Sequence, residues 1–316
     1  MNNILAEPDT PSLTETIVTL TTPTGLLTGF LLSPPPSTAV SHVALILPGS
    51  GPTDHDGNSA ALPGKNNSLQ MLATALAQAN IATLRIDKRG VGASAGAAPP
   101  EADLRFETFV GDAVAWMERL RTDGRFQQYS IIGHSEGSLI GMIAAQRSHA
   151  DAFVSLEGTG RTAQATLIAQ LSVQLSAPLL AMVQTTLDQL AAGRLVDPLP
   201  DEIAQVPALA ALFRPSVQPY LVSWFRYDPT AVFSRLVMPV LIIQGTTDLQ
   251  VPVADAYRLA DANSRARLAI IEGMNHVLKA APASQEANLA LYTDPGAPLA
   301  DGLVTAVTTF LHASVA

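Results

Sequence analysis

A serine hydroxyl is a weak nucleophile until a turn lifts it clear of the backbone and a base takes its proton. Two stretches of the chain have the Gly-x-Ser-x-Gly spacing that such a turn favours: Gly92-Ala93-Ser94-Ala95-Gly96 and Gly133-His134-Ser135-Glu136-Gly137. Spacing alone does not separate them. A productive turn runs from a strand into a helix. Its glycines let the two backbones pass closely, and the helix N-terminus aims N–H groups and a positive dipole end at a developing oxyanion. Residues 129–132 read as a strand entering the second motif, and residues 138–146 as a helix leaving it. The strand before Ser94 ends at Ile86, and Ala97-Ala98-Pro99-Pro100 follows, so that stretch reads as a glycine-rich loop. Ser135 is the candidate nucleophile.

The base must be one of six histidines. His134 abuts the serine, and a sharp turn should aim its ring away from Oγ. His42 opens a strand, His149 follows the helix after the motif, and His312 falls in the last helix. His55 sits in a Gly/Asp-rich loop and is the main rival. His276, in Glu272-Gly273-Met274-Asn275-His276, follows the last expected strand and should emerge at the same sheet edge as Ser135. It is the candidate base. An acid must fix the tautomer of that base. Asp248 follows the run 240–244 and a glycine turn, which places a carboxylate at the same edge. Asp255 is the alternative, but it lies inside the next helix, where a solvated face is the ordinary fate.

The oxyanion needs two donors. The loop Leu47-Pro48-Gly49-Ser50-Gly51-Pro52 leaves a core strand, so the N–H of Ser50 is one candidate and the N–H of Glu136 the other. The loop lacks the G-K-[ST] ending and the G-x-G-x-x-G spacing of phosphate-binding turns. Asp54-His55-Asp56 offers metal-type ligands, but alternate residues of one loop rarely complete a site and no second cluster accompanies them, so no metal is expected.

These residues need elements to position them. Residues 14–20 and 26–32 read as two strands joined by the turn Thr22-Pro23-Thr24-Gly25, with Pro34, Pro35 and Pro36 as a stiff linker after them. Beyond this, apolar runs alternate with helical stretches. Strands are expected at 42–47, 81–86, 129–132, 153–156, 240–244 and 266–271, and helices at 68–78, 106–120, 138–146, 254–260 and 303–311. Continuous apolar strands separated by helices imply a mostly parallel sheet covered on both faces, hence a doubly wound α/β fold with an antiparallel N-terminal edge. The alternation breaks from about 158 to 229, where Ala, Leu and Gln dominate and Pro178, Pro198, Pro200, Pro207, Pro215 and Pro219 interrupt. Residues 1–157 and 230–316 are therefore read as the catalytic core, and 158–229 as an inserted helical cap, or lid, over the C-terminal edge of the sheet.

Composition narrows the function classes. The 316 residues are 47% hydrophobic and 14% charged, which supports a large core and argues against disorder. A net charge of −9 without a basic face disfavours nucleic acid and anionic lipid. The absence of cysteine removes disulfides, thiolate metal sites and a cysteine nucleophile. The first residues lack the basic and apolar regions of a signal peptide, and the nearest candidate for a membrane span, 162–187, is free of charge but is interrupted by Gln164, Gln170, Gln174, Pro178 and Gln184, so no membrane span is expected and cytoplasm is the default address. A homodimer stays open.

The loop Pro48-Gly49-Ser50-Gly51-Pro52 with Asp56-Gly57-Asn58, the run Asp87-Lys88-Arg89-Gly90-Val91-Gly92-Ala93-Ser94, and Gly133-His134-Ser135-Glu136-Gly137 together resemble the α/β-hydrolase superfamily, in particular bacterial carboxylesterases. The likeness runs over about 44–276 and is poor in the cap. Ser138 replaces a glycine of the family motif, and Pro48 stands where many relatives have histidine. The resemblance implies that Ser135 attacks an ester carbonyl, His276 transfers protons, Asp248 orients it, Ser50 and Glu136 supply oxyanion N–H groups, the loop 87–94 supports the site, and no cofactor takes part. The order Ser…Asp…His suits this fold.

The expected substrate is a small-molecule ester of small or medium acyl chain. A thioesterase, an acyltransferase, a serine aminopeptidase and a non-catalytic binding protein of the same fold are the alternatives. Leu167, Leu171, Leu175, Leu179, Leu180, Val183 and Leu187 form an apolar face, most of which should pack on the core. Two roles are open for Glu136: binding a cationic group, or pairing with Arg89.

Overall fold

The structure, a computed structural model, describes residues 12–35 and 40–314. The reading of the first residues as free of a signal peptide, and the part of Pro36 in the linker, lie outside the described residues.

Eight strands form one sheet: β1 (Thr14–Thr22), β2 (Gly25–Ser33), β3 (His42–Leu47), β4 (Ile81–Ile86), β5 (Gln128–His134), β6 (Ala152–Leu156), β7 (Val240–Gly245) and β8 (Arg267–Ile271). Their order is β1-β2-β4-β3-β5-β6-β7-β8. β1 and β2 run antiparallel to each other, β2 runs antiparallel to β4, and every later pairing is parallel. The strands that read as unbroken apolar runs are those buried on both faces. Every residue of β3, β4, β6 and β7 is buried.

Helices cover the two faces. On one side α1 (Ser68–Gln78) and the last helix cover Ile46, Ile132 and Val154 with Leu69, Leu72, Leu76, Val307 and Phe310. On the other, α2 (Phe106–Asp123) and α3 (Glu136–Arg147) bring Phe106, Trp116, Leu139 and Met142 against Leu45, Ile131 and Phe153. Each fully buried Leu or Phe side chain contributes about 1.5–3 kcal/mol, so these two layers, rather than any polar contact, hold the sheet edge still.

Six helices lie between β6 and β7: α4 (Ala163–Ser172), α5 (Ala177–Ala191), α6 (Asp201–Ala204), α7 (Pro207–Phe213), α8 (Gln218–Trp224) and α9 (Pro229–Phe233). Val183, Leu187, Leu190, Ile203, Phe213 and Leu221 pack into a cluster of their own, so the leucine face read from the sequence is largely spent within this segment rather than on the core. Residues 173–176 divide that face between α4 and α5. The chain closes with α10 (Val253–Ala262), α11 (Gln285–Ala290) and α12 (Leu303–Ala313). Among the described residues no helix is long and apolar enough to cross a membrane.

The strand order reverses between β3 and β5. Ligands of open α/β sheets collect at that switch, beyond the carboxyl ends of the strands. The loops carrying Ser50, Ser135, Asp248 and His276 follow β3, β5, β7 and β8, all at that edge.

Candidate active site

Ser135 stands between β5 and α3 with φ 55 and ψ −120, a backbone conformation foreign to ordinary L-residues. Such strain costs about 1–3 kcal/mol and persists only where the surroundings impose it. Here they do. The Ser135 N–H is held by the Leu156 carbonyl at 2.9 Å. A side chain on Gly133 would collide with the Gly137 backbone, and one on Gly137 would meet the Leu47 carbonyl oxygen at 2.5 Å. The glycine spacing is therefore a steric requirement of passing β5 under α3.

His276 Nε2 lies 3.1 Å from Ser135 Oγ, and Asp248 Oδ2 accepts from His276 Nδ1 at 2.8 Å. The other carboxylate oxygen of Asp248 accepts the N–H groups of Gln250 (2.7 Å) and Val251 (3.0 Å). Burial alone would push the Asp248 carboxyl up. The His276 imidazole and these donors outweigh it and hold the group at about 2, so the carboxylate stays charged at neutral pH. The loop bearing His276 is tied down by Asn275, which bonds the Lys279 N–H at 2.9 Å and the Asn288 side chain at 3.1 Å. Asn288 in turn donates to the Thr247 carbonyl at 2.8 Å, linking the loops after β7 and β8.

The rival residues are committed elsewhere. The Asp87 carboxylate accepts from His55 Nδ1 at 2.7 Å, and the His55 ring stacks on Phe30 at 3.7 Å. Asp255 is buried beneath a two-pronged ion pair with Arg161, not on the solvated face read for it. Ser94 is fully buried in a 3-10 turn spanning Gly92–Ala97, where its Oγ accepts the Thr28 N–H at 2.9 Å; the segment read as a loop is ordered by that bond. In the stretch 54–56, Asp54 caps the turn through the N–H groups of Asp56 and Asn58, while Asp56 pairs with Arg85.

His134 points away from Ser135 Oγ. It donates from Nε2 to the His276 carbonyl at 2.7 Å, so the residue before the candidate nucleophile braces the backbone of the candidate base. Burial, and then the nearby His276 ring, pull His134 down to about 3, and burial pulls His42 to about 4. Both rings are neutral in the fold and charge near 6.5 when the chain unfolds. The unfolded state therefore binds more protons below that value, and stability falls as pH drops from about 6.5 toward 3. His134 alone contributes a loss of about 4 kcal/mol by pH 3. Urea unfolding of the wild type and of His134→Gln across pH 7 to 4 checks this; the variant is expected to show the shallower decline.

A cavity of about 710 Å³ opens above Ser135, lined by Ser50, Leu104, Phe109, Ser135, Glu136 and Leu139 from the sheet side and by Leu167, Val217, Tyr220, Leu221 and Trp224 from α4 and α8 and the turn before α8. The N–H groups of Ser50 and Glu136 have no acceptor among the described residues. Glu136 is not paired with Arg89, contrary to one of the two roles left open for it. Arg89 is bound two-pronged to Asp112 at 2.6 Å, and Glu136 instead lies 3.8 Å from Lys88 Nζ and accepts the Tyr220 hydroxyl. Burial, then Glu136, push the Tyr220 phenol well above its usual range, so it remains a donor. Lys88 also donates to the Gly49 carbonyl at 2.5 Å.

Three residues of this site were not singled out from the sequence: Lys88, Tyr220 and Glu157. Lys88 lay within a loop read as support, and Tyr220 within a proline-broken helical stretch without periodic signal. Glu157 had a usable signal, since it directly follows a core strand at the reactive edge, the same placement that singled out Asp248.

A family model described as serine aminopeptidase, S33 (Hydrolase_4) matches residues 65–211. Esterase EstD of Thermotoga maritima is 25% identical over 238 residues, covering 74% of this chain and 54% of that protein, so the chain spans about half the length of this curated relative. Among solved structures, Est1E from Butyrivibrio proteoclasticus superposes with a TM-score of 0.59 at 15% identity, over 95% of this chain and 98% of the other. The Pyrococcus furiosus esterase Pf2001 gives 0.56 at 16% identity over 88% of each chain. Sheet order, strand–helix turn and these likenesses give the chain the α/β-hydrolase fold. EstD and Pf2001, to which it is similar, are esterases.

Proposed function

We propose that the chain hydrolyses carboxylic esters of small or medium acyl chains through an acyl-enzyme intermediate. The observation that carries this is the continuous hydrogen-bonded line from Ser135 Oγ through His276 to Asp248, opening into the cavity. Ser135 Oγ attacks the ester carbonyl as His276 Nε2 takes its proton. The tetrahedral oxyanion is received by the N–H groups of Ser50 and Glu136. His276 then returns the proton to the departing alcohol, and a water repeats the sequence to free the acid. Lys88 supports this from below: its ammonium sits on the Gly49 carbonyl, in the same peptide unit as the Ser50 N–H, and polarises that donor toward the oxyanion.

Helices α4–α9 act in this reading as a cap that shapes the substrate cavity. The charges that line the cavity are matched: Lys88 with Glu136, Arg89 with Asp112, Arg214 with Glu101. Among the described residues that line the cavity, no carboxylate is left to receive a free substrate amine. This favours an uncharged ester over the aminopeptidase suggested by the family description.

A fluorophosphonate probe, followed by a panel of p-nitrophenyl esters, acyl-CoAs and aminoacyl-anilides, tests the proposal. An adduct at Ser135 with turnover confined to the esters is expected. Absence of the adduct would point to a binding protein, and preferential anilide cleavage to a peptidase.

A further inference from the structure

Glu157 lies one residue beyond β6, one strand over from the loop of Asp248, and is fully buried. Its φ of 50 places it in the left-handed region, where a bulky residue persists only under constraint. The constraint is visible. Its N–H donates to the Ile243 carbonyl at 3.0 Å, and its Oε1 accepts the Gly245 N–H at 2.9 Å. Its carboxyl group and that of Asp248 both bond the Gln244 side-chain amide. One oxygen of each acid and one nitrogen of His276 all lie within 4.8 Å of one another.

Counting protons shows a deficit. The Gln244 amide nitrogen faces three acceptors: Glu157 Oε2, Asp248 Oδ2 at 3.1 Å and the Val251 carbonyl at 2.8 Å. It has two hydrogens. Three acceptors with two hydrogens, and two carboxyl groups within 4.8 Å of each other in a dry pocket, leave an unbalanced charge unless one acid keeps its proton. Asp248 has the donors an anion needs, two backbone N–H groups and the imidazole. Glu157 has one backbone N–H and a shared amide hydrogen, and no lysine or arginine pairs with it among the described residues. Burial, and then the Asp248 charge, push its carboxyl well above the usual range. The titratable groups facing it are Asp248, His276 and the Tyr292 phenol, which burial also keeps protonated.

We infer that Glu157 is a proton-bearing carboxylic acid that donates to the Asp248 carboxylate from behind and serves as a positioning residue for the Asp248–His276 pair. The inference rests on the serine-hydrolase reading of that pair. A neutral acid there ties down Asp248 while leaving His276 opposite a single negative charge. A second carboxylate would raise the basicity of the imidazole.

The test uses the full chain and its Glu157→Gln and Glu157→Ala variants. In neutral buffer, the infrared difference between wild type and Glu157→Gln is expected to show the loss of a protonated carboxylic-acid carbonyl band. Loss of carboxylate bands alone would overturn the inference. With a p-nitrophenyl ester, Glu157→Gln, which is neutral at every pH, is expected to keep kcat/KM within about threefold and to leave the acid limb of its pH profile in place. A shift of that limb to lower pH by about half a unit or more would mean an ionised Glu157 and sink the idea. Glu157→Ala, which removes the donor, is expected to lower kcat about tenfold with KM unchanged. Full kcat in a folded Glu157→Ala would remove the positioning role; where that variant does not fold, the infrared band and the Glu157→Gln profile decide. Should the wild type turn over no ester at all, the functional reading fails, while the infrared band still reports whether Glu157 carries a proton.

Discussion

Replacing Ser135 with alanine is expected to lower kcat toward an ester by at least about 10⁴-fold without loss of the fold. The hydroxyl makes no bond on which the turn depends. The strained backbone there is imposed by the Leu156 carbonyl and by the two glycines, which alanine at 135 leaves in place. What should disappear is the proposed acyl-enzyme route, with the residual rate owed to donors and binding. The matched control is Ser94→Ala. That change takes the acceptor from the buried Thr28 N–H and should destabilise the chain by about 1–3 kcal/mol while the folded fraction keeps its turnover. Steady-state kinetics with circular dichroism on both variants reads the two outcomes separately. Loss of turnover with Ser94→Ala and retention with Ser135→Ala would reverse the assignment.

The second large effect is expected from Asp248→Asn, about 10⁴-fold in kcat with little change in KM. The shape is preserved and Asp248 does not line the cavity, so ground-state binding should survive. The proton pattern does not survive. The carboxylate accepts from His276 Nδ1 and leaves Nε2 free to take the serine proton. An asparagine amide that donates to Nδ1 drives the hydrogen to Nε2, where the base can no longer act. Asp255→Asn supplies the contrast. It breaks the ion pair with Arg161 and should lower the unfolding midpoint, yet kcat of the folded enzyme should persist. Comparable loss of kcat in both variants would mean that the acid has been placed wrongly.

Much of the scaffold could be read from residue order because burial on both sheet faces writes an unmistakable signature. The runs 42–47 and 81–86 coincide with β3 and β4 residue for residue, and 68–78 with α1. The helix after the candidate nucleophile begins two residues earlier than its apolar pattern suggested, at Glu136. The turn is so tight that Ser135 itself is the residue preceding the helix. Periodicity cannot report such a turn, because Glu136 and Gly137 are chosen for closeness and charge rather than for an apolar stripe. Ser135 was found by its Gly-x-Ser-x-Gly spacing between a strand and a helix, Asp248 and His276 by one rule, a reactive side chain just past a strand end, and the structure brings the three into a single line. The same rule reaches Glu157. It was passed over because the expected strand ended at Leu156 and the inserted segment was read from 158, which left the single residue between them without a role. Lys88 and Tyr220 lay beyond any sequence rule, since their partners Gly49 and Glu136 are distant in the chain and become neighbours only through the parallel sheet and the fold of α8.

The phenol of Tyr220 rests on Glu136, the residue next to the candidate nucleophile, and Lys88 closes the same contact from the sheet. The inserted helices therefore complete a buried charge pair belonging to the core. Grafting the 158–229 segment of another protein of this fold onto this sheet, without a hydroxyl at the equivalent of position 220, would leave the buried Glu136 carboxylate with Lys88 at 3.8 Å and no hydroxyl donor. Chimeras built to alter selectivity here must carry that hydroxyl across, or exchange Glu136 and Lys88 together with the helices.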